Sequence, residues 1–325
     1  MSLSDAQRVD AIAATEILAP YKISLTIAAH AYHERAKLLS RTVTFAALRD
    51  ELVAAKVSDR KSPRYVGDLR TRLAAVGQTF DLRPVATIEA RELDDWLRAL
   101  RLAPTSRINF RKVLHTAFEF AVMRGYSSEN PVVKTAKVKA DDAPPGILTP
   151  VEIAAVLGAA DPAVVAGVAL SAFAGLRDAE VGRLTWDRVD LVGGNIKIDA
   201  AIAKTASRRL VPISDNLRKW LTPHAKKEGS VRPSPRISYP LYRSARMTAA
   251  EKLIKGGEPA ANLQEWPNNA LRHSYASYRM ALVGNAAQVA EECGHSVQIM
   301  KAHYRELVTK TEASSWFAVA PGRKA

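Results

Sequence analysis

The sequence predicts a mainly α-helical protein with a small β-sheet in its second half. Three observations lead there. Apolar residues recur every three or four positions through roughly the first 135 residues. A polar stretch rich in proline then interrupts the pattern. Beyond it the period switches to strand-like alternation around glycine turns, before helical spacing resumes. A chain of 325 residues exceeds the usual size of one domain, so two domains are expected.

The elements follow in order. Residues 11–39 alternate apolar and polar groups at helical spacing. Phe45, Leu48, Leu52 and Val53 share one face of a second stretch that Thr44 can cap. Pro63 suits the first turn of a helix running to about Ala75. Thr87 precedes another, with Ile88, Leu93, Trp96, Leu97 and Leu100 on its inner face. Thr105 or Ser106 caps a helix that reaches Arg124 before Gly125 and Asn130-Pro131 stop it. Residues 134–150 hold three lysines, three prolines and a glycine, the composition of a linker. Thr149-Pro150-Val151-Glu152 then reads as a helix start. Helices are expected over 162–174 and 177–184, and strands around 189–191, 196–198 and 209–213. The remainder is helical except for a proline-rich loop over 232–240. The expected division is a helical extension (1–40), a helical domain (41–135), a linker (136–147) and a second domain (148–325).

Composition narrows the function. The net charge is +14, which favours a polyanionic partner. No apolar run approaches the roughly 18 residues of a membrane span. The first ten residues carry Asp5, Arg8 and Asp10 and do not read as a secretory signal. A cytoplasmic, nucleic-acid-facing protein is the class that remains. Cys293 is the sole cysteine, so neither an intramolecular disulfide nor a thiolate zinc site is expected. His30 and His33 could share a helix face but lack further ligands nearby, so no metal and no cofactor are expected. The basic residues cluster. Residues 101–139 hold eight Lys/Arg against two acids, and residues 60–72 hold five against one. Arg60, Lys61, Arg64, Arg107, Arg111 and Lys112 are therefore candidate phosphate contacts, although a lone cluster of this kind is more often a solvated helix face.

Four segments carry chemistry. In Gly175-Leu176-Arg177-Asp178-Ala179-Glu180, a carboxylate one turn after an arginine can fix its guanidinium for bidentate phosphate binding. In Lys204-Thr205-Ala206-Ser207-Arg208-Arg209, a lysine falls near the turn between two strands. Asn269-Ala270-Leu271-Arg272-His273-Ser274 sets an amide and a guanidinium three residues apart, on one helix face. Gly294-His295-Ser296 is followed by Tyr304, nine residues after the histidine. Taken singly, each has an ordinary structural explanation: an ion pair, a solvated turn, a packed helix, a core tyrosine.

Together, in this order and spacing, they resemble the tyrosine recombinase, or phage-type integrase, family across most of the chain. The resemblance implies a helical core-binding (SAM-like) domain followed by an α+β catalytic domain. It implies that Arg177 and Arg272 clamp a scissile phosphate, that Lys204 and His295 assist, that Glu180 supports the first arginine, and that Tyr304 is the nucleophile. It further implies double-stranded DNA as partner, a homotetramer on that DNA, and a segment after Tyr304 that docks on a neighbouring copy. Two positions depart. Asn269 stands where the family usually has histidine, and Cys293 where it usually has leucine. The chemistry is coherent: a phosphotyrosine conserves bond energy, guanidiniums stabilise the charged transition state, and a lysine can protonate the leaving hydroxyl without a metal. Two alternatives share the fold. A type IB topoisomerase-like enzyme would relax DNA without synapsis. A catalytically impaired DNA-binding relic is favoured only by Asn269.

Overall fold

A computed structural model describes residues 3–139, 145–199, 202, 208–304 and 308–322. The chain divides into two compact units, residues 1–142 and 143–325.

The first unit is helical. Helices α1 (Asp5–Leu18) and α2 (Leu25–Arg41) are joined by a 3-10 turn at Pro20 and meet at 91°. Neither buries any residue. The core lies in the next four: α3 (Phe45–Ser58), α4 (Pro63–Phe80), α5 (Ala90–Ala99) and α6 (Pro104–Met123). Phe45, Leu48 and Leu52 of α3 pack with Leu69, Leu73 and Phe80 of α4, Leu93 of α5, and Leu114 and Phe118 of α6. Phe45 sits between Phe80 and Phe118, at ring distances of 6.5 and 6.4 Å. Thr44 caps α3 as expected. Helix α6 differs: Pro104 opens it at the first helical position, so neither Thr105 nor Ser106 caps it.

The second unit builds outward from α7 (Pro150–Ala159) and α8 (Pro162–Phe173). Thr149 and Glu152 form a reciprocal cap on α7. Helix α8 is apolar nearly all round and buried to match. After it come a short helix α9 (Asp178–Val181) and strands β1 (Val189–Asp190), β2 (Asn195–Ile198) and β3 (Arg209–Pro212). The strands form one antiparallel sheet in chain order, with Val189 opposite Ile196 and Ile196 opposite Val211. Helices α10 (Asp215–Leu221), α11 (Pro235–Lys255), α12 (Ala261–Glu265), α13 (Ala270–Val283), α14 (Ala286–Cys293), α15 (Val297–His303) and α16 (Lys310–Ala318) complete the unit. No single helix among the described residues is long and apolar enough to cross a membrane.

Two expectations change. The helix expected over 177–184 is a single turn, because Gly182 ends it and Thr185 bridges to Ser230. The loop expected over 232–240 is mostly helix: Pro235 occupies a first-turn position, where a missing N–H costs nothing, and α11 continues through Pro240. In the single chain the apolar segment after Tyr304 packs on its own unit. Trp316 of α16 is fully buried; its ring lies 4.5 Å from Tyr278 and 5.7 Å from Phe173, and its indole N–H donates to Ala172 O. The indole finds both an apolar slot and an acceptor at home. Leu307, part of that expectation, lies outside the described residues.

Candidate active site

The site forms where α9, β3, α13 and the α14–α15 turn converge. Gly175 makes this possible. It adopts φ +62°, and a Cβ there would lie 2.3 Å from the Tyr275 ring, so only glycine fits. The chain then turns to present Arg177 as the cap of α9. Glu180, fully buried, accepts from the Arg177 amide at 2.9 Å and from Arg177 Nη1 at 2.9 Å. It also receives Arg209 of β3, Nη2 to Oε2 at 2.7 Å. Burial alone would push the Glu180 carboxyl up. Its bonds from Arg209 and from the Arg177 amide and guanidinium more than offset that and hold it below the usual carboxylate range. Next to Arg177, Asp178 is fixed by Arg232 at 2.6 Å and by the Tyr239 hydroxyl at 2.8 Å.

Both expected arginines hang on consecutive carbonyls. Arg177 Nη2 donates to Gly294 O at 2.5 Å, and Arg272 Nη2 donates to Cys293 O. Arg272 also donates to Gly175 O and is 5% exposed. The two guanidiniums come from sequence positions far apart, yet are pinned side by side at the residues just before His295. Gly294, at φ +61°, turns the chain there, and a Cβ on it would lie 3.2 Å from Arg209 Nη1 and 3.4 Å from Arg177 Nη1. Burial first, then the fields of Arg272 and Arg177, hold His295 down to about 4, so it is neutral at pH 7.

Tyr304 ends α15 and is 2% exposed. Its hydroxyl lies 2.5 Å from His273 Nδ1, with the rings stacked at 5.6 Å and 27°. The His295 ring is 6.3 Å away. Burial raises the Tyr304 hydroxyl above its ordinary value, against the opposing pull of Arg272 and Arg177. Asn269 is exposed, in the left-handed region at φ 55°, immediately before α13. It precedes the helix instead of sharing a helical face with Arg272, but both line one cavity of about 380 Å³. Tyr304 instead lines a second cavity, with Ser277, Met280 and Ala281 of α13.

Lys204 falls between β2 and β3 in sequence and lies outside the described residues. Arg60, Lys61, Arg64 and Lys112 are exposed. Arg111 is engaged internally, Nε to Thr135 Oγ1 at 3.0 Å and Nη2 to Val132 O at 2.9 Å, and so straps the segment after α6. Arg107 is half-buried. Sequence reasoning passed over Arg209 and His273 as site residues. Both stood inside the quoted motifs, but burial beside a carboxylate and contact with Tyr304 are tertiary facts that spacing does not encode. Cys293 is fully buried, and burial pushes its thiol up to about 11; it packs as a small apolar residue.

A tyrosine hydroxyl, two carbonyl-pinned guanidiniums and a neutral histidine thus lie in one region of the second unit. Residues 151–310 match the phage integrase family model, and the chain is a member of the tyrosine recombinase family. A curated tyrosine recombinase from Thermosipho africanus (strain TCF52B) is 22% identical over 252 residues, covering 74% of this chain and 86% of its own length. Among solved structures, the Tn1549 transposon integrase in complex with transposon right end DNA matches with a TM-score of 0.65 at 14% identity, over 84% of this chain and 98% of that one. A lambda integrase tetramer bound to a Holliday junction matches at 0.63 and 16% identity, over 97% of this chain and 88% of that one.

Proposed function

We propose that this site-specific tyrosine recombinase cleaves and rejoins double-stranded DNA through a 3′-phosphotyrosine at Tyr304. The observation that carries the reading is the pinning of Arg177 and Arg272 to consecutive carbonyls before His295. Guanidiniums held this rigidly need no reorganisation as charge develops on the phosphate oxygens. Each has five N–H donors, more than its protein bonds use, so donors remain for a phosphate. Arg209 and Glu180 act through Arg177: the carboxylate shared by two guanidiniums fixes the plane of the first. His295 and the Asn269 amide add donors at the phosphate. The Tyr304 oxygen attacks phosphorus, the bond to the 5′-oxygen breaks, and Lys204 protonates the leaving oxygen. Rejoining runs the same steps backward. Because Tyr304 is buried in the free chain, attack requires it to turn toward the gripped phosphate.

The helical domain over 41–135 holds DNA through Arg60, Lys61, Arg64, Arg107 and Lys112, while Arg111 supports that surface from beneath. The stretch 136–147 links it to the catalytic domain. Four copies assemble on paired sites, in keeping with the tetramer on a Holliday junction seen for the lambda integrase. The test is covalent trapping. The protein is incubated with a library of nicked duplexes, quenched in detergent, and the attached DNA recovered and sequenced. The parent should yield adducts sharing a sequence; Tyr304→Phe should bind DNA equally and yield none. Adducts from Tyr304→Phe would disprove the assignment.

A further inference from the structure

We infer that His273 is the general base of the cleavage step, accepting the Tyr304 phenolic proton on Nδ1. The inference rests on Tyr304 being the nucleophile. Three observations carry it. First, a phenol raised above its ordinary value by burial is a weak nucleophile at neutral pH and needs a base. Second, Asn269 cannot be that base, because an amide does not titrate in water's range. Third, His273 Nδ1 already lies 2.5 Å from the Tyr304 hydroxyl, with the rings stacked. That is within the reach a general base must have.

The neighbours of His273 set its protonation. It follows Arg272 on α13, and His303 of α15 also faces it; burial first, then these two, hold the imidazole below its ordinary value. His295 stands across Tyr304 and Lys301 lines the same cavity as Tyr304. All are cationic or neutral, so the ring stays uncharged at pH 7 and free to accept. In the step, the Tyr304 O–H bond breaks and its proton passes to His273 Nδ1. The oxygen forms the bond to phosphorus. The phosphorus–5′-oxygen bond breaks, and that oxygen takes a separate proton from Lys204. On rejoining, imidazolium His273 returns its proton to the departing phenolate.

The probes are a nicked duplex bearing the sequence recovered by trapping and the same duplex with sulfur in place of the scissile 5′-oxygen. A thiolate leaves without a proton, so loss of a general acid is masked on the sulfur substrate while loss of a general base is not. His273→Asn keeps a hydrogen-bonding group near the Nδ1 position but accepts no proton. It should slow cleavage about 10²–10⁴-fold, by the same factor on both substrates, with DNA binding unchanged. A defect that disappears on the sulfur substrate would make His273 an acid and overturn the inference. A rate equal to or above the parent's would show that His273 merely parks Tyr304 in the resting chain. Nitrogen NMR of the unmodified protein gives a second reading that needs no variant to fold: Nδ1 of His273 should be unprotonated at pH 7, and a protonated Nδ1 contradicts the inference. Adducts formed by Tyr304→Phe would remove the underlying reading as well, which separates that failure from failure of the base assignment alone.

Discussion

Asn269 shows how a single residue can meet two demands. It begins α13 in the left-handed region, where asparagine is far better tolerated than most side chains. It also faces the Arg272 cavity with a donor. If donation is its task, Asn269→His should change cleavage by less than about tenfold, since histidine also donates, while Asn269→Ala should cost on the order of 10²-fold. Alanine is strained at this φ, so Asn269→Gly, which is not, should show the same loss. A glycine variant as fast as the parent would make Asn269 a bystander. His295 gives a pH prediction. Its folded value of about 4 lies below the ordinary value of about 6.5. The unfolded chain therefore binds that proton more readily, and stability falls as pH drops below about 6.5. A bound phosphate opposes the arginine field, so the His295 titration followed by NMR should move up by about one unit or more in the DNA complex. No movement would place the phosphate elsewhere. Glu180 carries the opposite load. It is a buried carboxylate shared by two guanidiniums, and Glu180→Ala should destabilise the second unit by about 3–5 kcal/mol in urea melts.

At the scale of elements, α16 decides between exchange and self-docking. Trp316 fills a slot between Phe173 and Tyr278, and the Val319 carbonyl accepts from Trp220 at 3.1 Å. Trp316→Ala, or truncation after Glu312, should cost the second unit about 3–5 kcal/mol and lower its melting temperature. A truncated protein that melts like the parent would restore the neighbour-docking expectation. This element marks a limit of the sequence. Its amphipathic character was legible in Trp316 and Phe317; which surface receives it was not, because a slot made by Phe173 and Tyr278 exists only after folding. The same holds for α11, where Pro235 and Pro240 suggested a loop, although Pro235 falls in the first turn, where proline is tolerated, and the helix continues through Pro240. By contrast, the caps at Thr44 and Thr149 and the inner faces of α3 and α5 were legible, since local spacing alone specifies them. The family was legible in the four motifs taken as an ordered set. The pairing of Arg209 with Glu180 and of His273 with Tyr304 was not, because those residues meet only through the tertiary fold.

At the scale of the whole molecule, a net charge of +14 must show itself in solution. Each phosphate contact releases condensed counterions, and the logarithm of affinity falls with the logarithm of salt at about −0.9 per contact. Neutralising Lys61, Arg64 and Lys112 together should flatten that slope by up to about 2.7 for three lost contacts. An unchanged slope would move the DNA face elsewhere. Arg111→Ala should act differently, because its guanidinium holds Thr135 and Val132: it should lower the stability of the first unit more than it changes the slope.

The central claim is that Tyr304 forms the covalent bond to DNA, and the most direct test locates that bond. Trapped adduct is digested with nuclease and protease, and the peptide bearing the residual nucleotide is sequenced by tandem mass spectrometry. Tyr275 and Tyr278 are the nearest rivals in sequence, but Tyr275 donates to Glu292 at 2.7 Å and Tyr278 to the Leu148 carbonyl at 2.9 Å, both buried. The nucleotide should sit on Tyr304, as a 3′-phosphoryl ester. A nucleotide on either rival, or on any other side chain, would contradict the account.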